Sequence, residues 1–168
     1  SDRMWAQQVL RFTDVLPDAR LRLAGDVLRP LRLRKLPDEI DALRGAGAAI
    51  DRVHARMGEW LRPGRTEAAV ARDIADAIIA EGHTAVNFVI VGSGPNGASP
   101  HHHVSERVIE AGDPVVVDIG GTMPDGYCSD CTRTYVAGDG TPPDFAAYYE
   151  VLLAAQIASC GHLRPGVT

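Results

Sequence analysis

The stretch Pro100–Tyr135, PHHHVSERVIEAGDPVVVDIGGTMPDGYCSDCTRTY, decides how the surrounding chain folds. Residues 115–119 are rich in β-branched side chains and predict a strand, and residues 127–136 predict its antiparallel partner. Residues 124–126, Pro-Asp-Gly, have the composition of a tight turn, because proline presets φ and glycine accepts positive φ. The sequence therefore predicts a β-hairpin centred on Pro124.

Two aspartates lie on this hairpin, Asp118 and Asp130, each six residues from Pro124. Opposed residues of an antiparallel pair have Cβ atoms about 4.5–5.5 Å apart, so this pairing would bring the two carboxylates face to face. Two ionised carboxylates at that distance repel each other unless a cation lies between them, and one or two divalent metal ions would satisfy them. The alternative is a solvated acidic turn. Both interpretations stay open on spacing alone, although Asp118 ends a run of three valines, where an unpaired charge is costly.

The length and composition are those of an ordinary globular protein. A chain of 168 residues can bury one good core, with a fragment of a second domain. Hydrophobic residues make up 45% of the chain and charged residues 23%, which are usual fractions. The net charge of −5 argues against a nucleic-acid partner, and no apolar run approaches the roughly 20 residues of a membrane span.

The termini and the cysteines bear on the cellular location. The opening residues, SDRMWAQQ, lack a signal-peptide pattern. Three cysteines, an odd number, fit a reducing compartment better than a disulfide framework. We therefore expect a cytoplasmic protein with no membrane partner.

Hydrophobic periodicity and capping residues predict the remaining elements. They are a helix over residues 4–12, a strand over 20–23, a long helix from Pro37 to Leu61, a helix from Thr66 to Gly82, a strand over 86–91, and a helix from Pro143 or Asp144 to Gly161. The two helices between Pro37 and Gly82 have apolar stripes and are predicted to be scaffold without chemistry. His54, at the edge of the first stripe, is predicted to be a structural histidine.

Several short motifs carry weaker signals. Gly92-Ser93-Gly94 has neither a lysine nor a helix signal after it, so we expect a tight loop and not a phosphate cradle. Cys128 and Cys131 would point to opposite faces of a strand, which excludes a zinc knuckle or redox pair. The three histidines 101–103 could face the aspartates or lie on a surface loop, and the residues alone do not decide between these.

Taken together, the motifs resemble a known family of enzymes. The segments Ser93–Asn96, Pro100–His102, Gly112–Gly121 and Gly126–Thr134 look like the prolidase (Xaa-Pro dipeptidase) branch of the pita-bread metallopeptidases, which also include aminopeptidase P, methionine aminopeptidase and creatinase. The resemblance covers about residues 27–168. It implies an α+β fold, the first half of a pita-bread domain, with an antiparallel sheet and flanking helices.

The resemblance also implies roles for individual residues. Asp118 and Asp130 would be metal ligands, with Asp130 bridging two divalent ions such as Mn, Co or Zn. His101 would be the catalytic histidine that stabilises the developing oxyanion, and His102 a neighbour in the substrate pocket. Thr132 would be a supporting group beside Asp130. The substrates would be short proline-containing peptides, and the intact enzyme would be a homodimer.

The same resemblance implies a domain organisation. Residues 1–26 would be the tail of a small N-terminal domain, 27–36 a linker, and 37–168 the first half of the catalytic domain. The family completes its site with a histidine and two glutamates that residues after Glu150 do not supply. We therefore expect a chain truncated at both ends and inactive by itself. The alternatives are an aminopeptidase P or methionine aminopeptidase type of enzyme, and a non-catalytic pita-bread module that binds peptides or proteins.

Overall fold

The structure is a computed structural model that describes residues 3–167. The chain forms two compact units, Ser1–Asp41 and Ala42–Thr168. The boundary between them falls inside helix α3, Pro37–Ala55. This division does not test the predicted domain limits, which stay predictions.

The first unit contains two helices, α1, Ala6–Val15, and α2, Gly25–Leu33. Within the described part of this unit, neither helix has a buried residue. The predicted strand over residues 20–23 is wrong, because these residues have no regular secondary structure. A strand needs a hydrogen-bonded neighbour, and local alternation does not report whether one exists. The predicted linker, residues 27–36, is largely helical because α2 extends through it.

Four helices belong wholly or largely to the second unit. After α3 come α4, Met57–Trp60, α5, Glu67–Ala80, and α6, Phe145–His162. The predicted single helix from Pro37 to Leu61 is interrupted at Arg56, whose N–H bonds to the Val53 carbonyl in a tightened turn. The predicted cap of α5 is confirmed, since the Thr66 hydroxyl accepts a hydrogen bond from the Ala69 N–H at 3.1 Å.

A three-stranded antiparallel sheet packs with α3, α4 and α5, whose residues share its core cluster. The strands are β1, Ala85–Ser93, β2, Pro114–Thr122, and β3, Cys131–Val136, in the order β1-β2-β3. A 3₁₀ helix, Gly94–Ala98, follows β1. In β2, Val115, Val117 and Ile119 are fully buried in the core cluster that includes α3 and α5 residues. The predicted α+β class is thus confirmed.

The other face of the sheet carries the residues between these buried positions. Because opposed residues of antiparallel strands share a face, the pairings Ile90↔Asp118 and Asp118↔Thr132 put these three side chains together. Val116 and Thr134, which also pair, lie on the same face. We call this the site face.

The register of the hairpin differs from the predicted one. Asp118 pairs with Thr132 and not with Asp130, so the face-to-face pairing of the two aspartates is wrong. The Met123 N–H donates to the Tyr127 carbonyl at 2.8 Å, which makes Pro124-Asp125-Gly126 a three-residue loop centred on Asp125. Gly126, at φ 86°, supplies the left-handed residue that such a loop needs.

Gly120 allows the two sides of the hairpin to approach closely. A Cβ atom at this position would overlap the Ser129 carbonyl oxygen and lie 2.8 Å from Cε1 of Phe88. Both the backbone and the aromatic ring are confined, so neither can move away easily. The residue after Asp118-Ile119 must therefore lack a side chain.

Gly120→Ala should consequently destabilise the fold. We expect a loss of about 1–3 kcal/mol in the free energy of unfolding, the usual result of overpacking, measured by urea denaturation. Gly45→Ala is the matched control, because Gly45 lies within α3 and a methyl group added there would have no neighbouring atom within 4 Å. The control should gain about 0.5–1 kcal/mol. Equal stability of the two variants would contradict this account of Gly120.

No helix within residues 3–167 is both long enough and apolar enough to cross a membrane.

Candidate functional site

Asp118 occupies the middle of the sheet on the site face. It is partly buried, with Ile90 of β1 on one side and Thr132 of β3 on the other. The Thr132 hydroxyl donates to Oδ1 of Asp118 at 2.7 Å. Thr132 was expected beside Asp130, and the two-residue difference in register explains why it contacts Asp118 instead. A carboxylate offers about four lone-pair sites, so this bond leaves capacity for a ligand.

Asp130 lies on the same face but is exposed, one residue before β3 begins. The hairpin pairing places Gly120, not Asp118, opposite it, so the two aspartates are diagonal neighbours. Diagonal neighbours on adjacent strands typically have Cα atoms about 7–8 Å apart. A shift of two residues preserves the face, and the two carboxylates therefore still share one surface.

The three consecutive histidines lie in the segment 99–108, which we call the histidine loop. It follows the 3₁₀ helix, and that helix packs on the site face, where a Cβ on Gly97 would lie 3.5 Å from Cγ2 of Val116. Val116 is two residues from Asp118. The histidine loop thus begins on the face that carries the aspartates, and His101 within it is exposed.

His102 points to a different partner. Its Nε2 lies 2.8 Å from Oε2 of Glu67, and its side chain is only 13% exposed. This contact uses one of the two ring nitrogens. The predicted contact of His102 with substrate stays a prediction.

Glu67 is the centre of a buried polar cluster and is itself 0% exposed. One carboxylate oxygen accepts bonds from the Ser93 N–H, the Ser93 hydroxyl and the Asn96 amide at 2.8–3.0 Å. The other accepts from His102 and from the N–H and hydroxyl of Ser105. We call these residues the Glu67 cluster. It joins the start of α5 to the end of β1 and to the histidine loop.

The hydrogen bonds keep Glu67 ionised. Burial raises the pKa of a carboxyl group, but here the bonds from the Ser93 N–H, His102 and Asn96 outweigh burial and lower the pKa of Glu67 from 4.5 to about 2. The position of Glu67 in the first turn of α5 also favours the negative charge. The loop further supplies the Ser105 and Arg107 carbonyls to the Ala68 and Glu67 N–H groups.

Two more histidines, His54 and His83, are buried near the hairpin. His54 contacts the Tyr135 hydroxyl and the Cys131 carbonyl, which confirms the prediction of a structural histidine. Burial lowers the pKa of His54, so its ring is neutral at pH 7. His83 contacts the Ser129 hydroxyl at 2.8 Å. Neither His83 nor Glu67 was singled out from the sequence, because a glutamate after a helix cap and a histidine after a terminal glycine are unremarkable locally.

The donor chemistry of the site face suits hard divalent cations, which prefer carboxylate oxygens. Within residues 3–167, however, no group of three or more His, Cys, Asp or Glu side chains is arranged to hold a metal ion. The described residues therefore offer two oxygen-donor side chains on one face, without a third ligand beside them.

Similarity to known proteins assigns the chain to a family. The family model described as metallopeptidase family M24 matches residues 41–168. The chain belongs to this family, and the predicted membership and the pita-bread fold are confirmed.

Individual relatives are similar along the whole chain. A probable dipeptidase PepE of Mycobacterium tuberculosis is 58% identical over 168 residues, covering 100% of this chain and 44% of the relative. The crystal structure of dipeptidase PepE from Mycobacterium ulcerans superposes with a TM-score of 0.92 at 58% identity, covering 100% of this chain and 45% of that one. A prolidase from Thermococcus sibiricus superposes with a TM-score of 0.89 at 36% identity, covering 99% and 46%. The chain thus spans less than half the length of these relatives.

The depressed pKa of Glu67 leads to a prediction about acid stability. A carboxyl group whose pKa is lower in the folded than in the unfolded state stabilises the fold above the unfolded pKa. That contribution is lost as the pH falls toward the folded pKa. For Glu67 this stability is lost between about pH 5 and pH 2. The shift of its pKa from 4.5 to about 2 corresponds to a contribution of about 3 kcal/mol at most to the free energy of unfolding.

Glu67→Gln should therefore be less stable than the wild type at pH 7 and should lose less stability between pH 5 and pH 2.5. Urea denaturation at a series of pH values measures both quantities. Glu106→Gln, which changes an exposed carboxylate in the same loop, should follow the wild-type pH dependence. If the free energy of unfolding of Glu67→Gln changed with pH in parallel with that of the wild type, the lowered pKa assigned to Glu67 would be contradicted.

Proposed function

We propose that the chain forms part of the catalytic site of a metal-dependent peptidase that hydrolyses the bond before proline in Xaa-Pro dipeptides. The observation that carries this proposal is the pair Asp118 and Asp130 on one accessible face of a sheet, in a chain of family M24. The similarity to dipeptidases and to a prolidase supports the substrate class. A cytoplasmic location and a homodimer remain predictions.

Asp118 and Asp130 would hold two divalent metal ions, of which Mn, Co and Zn are the candidates. When bound, such ions supply Lewis-acid polarisation of the peptide carbonyl and activation of water. Thr132 orients the Asp118 carboxylate through its hydroxyl. Because no group of three or more His, Cys, Asp or Glu side chains within residues 3–167 is arranged to hold a metal ion, the other ligands would come from outside these residues.

His101 would donate a hydrogen bond to the peptide carbonyl oxygen as negative charge develops there. Its support is the 3₁₀ helix that leads into the histidine loop and packs on the site face, with Gly97 close to Val116. The Glu67 cluster holds the following residue, His102, so the backbone at His101 is restrained while its own side chain stays exposed. A donor restrained before the substrate arrives stabilises the transition state at little reorganisation cost.

Removing either aspartate should abolish metal binding. We expect Asp118→Asn and Asp130→Asn to lose Mn²⁺ binding in isothermal titration calorimetry and Xaa-Pro hydrolysis in a direct assay, because a neutral amide is a poor substitute for a metal-binding carboxylate. The complete polypeptide encoded by the gene and the 168-residue chain should be assayed in parallel, and the shorter one should be inactive.

The matched control is Asp139→Asn. Asp139 is exposed beyond the opposite end of β3, so the variant makes the same charge change away from the site. Unchanged Mn²⁺ affinity in the Asp118 and Asp130 variants would refute the ligand assignment. Preference for Xaa-Pro-Yaa tripeptides over dipeptides would instead indicate an aminopeptidase P type of activity.

His101→Ala should lower kcat without a comparable change in KM. Loss of one donor to a developing oxyanion typically reduces kcat by about 10²–10³-fold. Steady-state kinetics on an Xaa-Pro dipeptide with saturating Mn²⁺ would measure the effect. His103→Ala, at an exposed position two residues away, is the control and should keep wild-type kinetics. Similar losses in both variants would argue against a specific role for His101.

A further inference from the structure

Asp130 lies just outside the regular pairing of the hairpin. Regular β3 pairing begins at Cys131, and before Asp130 the Ser129 N–H donates to the Gly121 carbonyl at 2.9 Å and an isolated bridge joins Cys128 to Thr122. Asp130 itself is exposed. A carboxylate that binds a metal must be held in a fixed position, and side-chain contacts of the neighbouring residues add to these backbone bonds.

The residues on both sides of Asp130 are held by buried histidines. Ser129, which is 4% exposed, has its hydroxyl 2.8 Å from Nε2 of His83. Cys131 has its carbonyl oxygen 3.1 Å from Nε2 of His54. Both imidazoles are more than nine-tenths buried, at 3% and 7% exposure for His83 and His54. In each case the nitrogen that reaches the Asp130 segment is Nε2.

The second nitrogen of each ring anchors it. Nδ1 of His83 lies 3.1 Å from the Ile78 carbonyl of α5. A carbonyl can only accept, so Nδ1 donates to it, and Nε2 of the same ring contacts the Ser129 hydroxyl. The Ser129 oxygen accepts in turn from the Gly121 N–H at 3.1 Å, which completes the chain of donors.

His54 is anchored in the same way from α3. Its Nδ1 lies 2.9 Å from the Tyr135 hydroxyl, and its Nε2 must donate to the Cys131 carbonyl. The two rings thus connect the helical layer to the chain immediately before and immediately after Asp130.

We propose that His54 and His83 are positioning residues for Asp130. Their Nε2 atoms hold the Ser129 hydroxyl on one side and the Cys131 carbonyl on the other, and thereby direct the Asp130 carboxylate from the site face toward a bound cation. The inference rests on the proposed role of Asp130 as a metal ligand. Groups that orient metal ligands typically change metal affinity by about 10–100-fold when they are removed.

Asparagine and glutamine substitutions at the same histidine test the contacts of its two ring nitrogens separately. An asparagine amide reaches about as far as Nδ1 and a glutamine amide about as far as Nε2. His83→Gln and His54→Gln should therefore keep the bonds to Ser129 and Cys131, whereas His83→Asn and His54→Asn should lose them. The measurement is a titration of Mn²⁺ into the protein, followed by paramagnetic loss of the amide NMR signals of β2 and β3.

We expect both asparagine variants to bind Mn²⁺ at least about tenfold more weakly than the wild type, and both glutamine variants to bind nearly as well as the wild type. If the histidines had only a structural role, the asparagine and glutamine variants would both be less stable than the wild type. The folded variants would then bind Mn²⁺ with unchanged affinity. Ile74→Val, a fully buried change in α5, controls for general destabilisation and should retain wild-type affinity.

The outcomes distinguish this inference from the proposed function. If Asp130→Asn leaves the Mn²⁺-dependent signal loss intact, the ligand assignment has failed. The positioning role is overturned if Asp130→Asn abolishes the signal loss while His54→Asn and His83→Asn match the wild type. It is also overturned if the asparagine and glutamine variants of each histidine are equally impaired. If the asparagine variant of one histidine does not fold, the asparagine and glutamine variants of the other histidine test the positioning role.

Discussion

The strand β2 is the constraint on which the site depends. It pairs on both sides, and its alternate residues Val115, Val117 and Ile119 are fully buried. A shift of its register by one residue would expose all three and turn Asp118 into the core. Hydrophobic burial of the three side chains therefore fixes the side of the sheet on which the carboxylate lies.

Much of this arrangement could be predicted from the sequence, because it depends on local patterns. Alternating β-branched residues indicated β2, and Thr66 indicated the start of α5. The hairpin register was wrong by two residues, since Pro-Asp-Gly is compatible with loops of more than one length and only the Met123–Tyr127 bond decides between them. The prediction that the two aspartates share one face still holds, because a register shift of two residues leaves the direction of the side chains unchanged.

The Glu67 cluster could not be predicted for a physical reason. Its hydrogen bonds join residues 26–38 positions apart in the chain. Hydrophobic periodicity reports which face of an element is buried, but it carries no information about which polar groups meet across the core. The same holds for His83 and Ser129, 46 positions apart. Within residues 3–167, every buried side-chain nitrogen and oxygen has a hydrogen-bond partner, so these long-range contacts are complete although none has a local signature.

The two proposed metal ligands are held in place by different interactions. Asp118 lies in the middle of a paired strand, and backbone hydrogen bonds tolerate most side chains that suit a strand. Asp130 lies just outside the regular ladder, and its neighbours Ser129 and Cys131 combine backbone bonds with contacts to two particular imidazoles. Substitutions near Asp118 are therefore limited mainly by size, as Gly120 illustrates, whereas Asp130 also depends on the identity of the imidazoles on α3 and just after α5. One half of the proposed site is thus determined by the sheet, and the other half by residues of the helical layer that carry no ligand themselves.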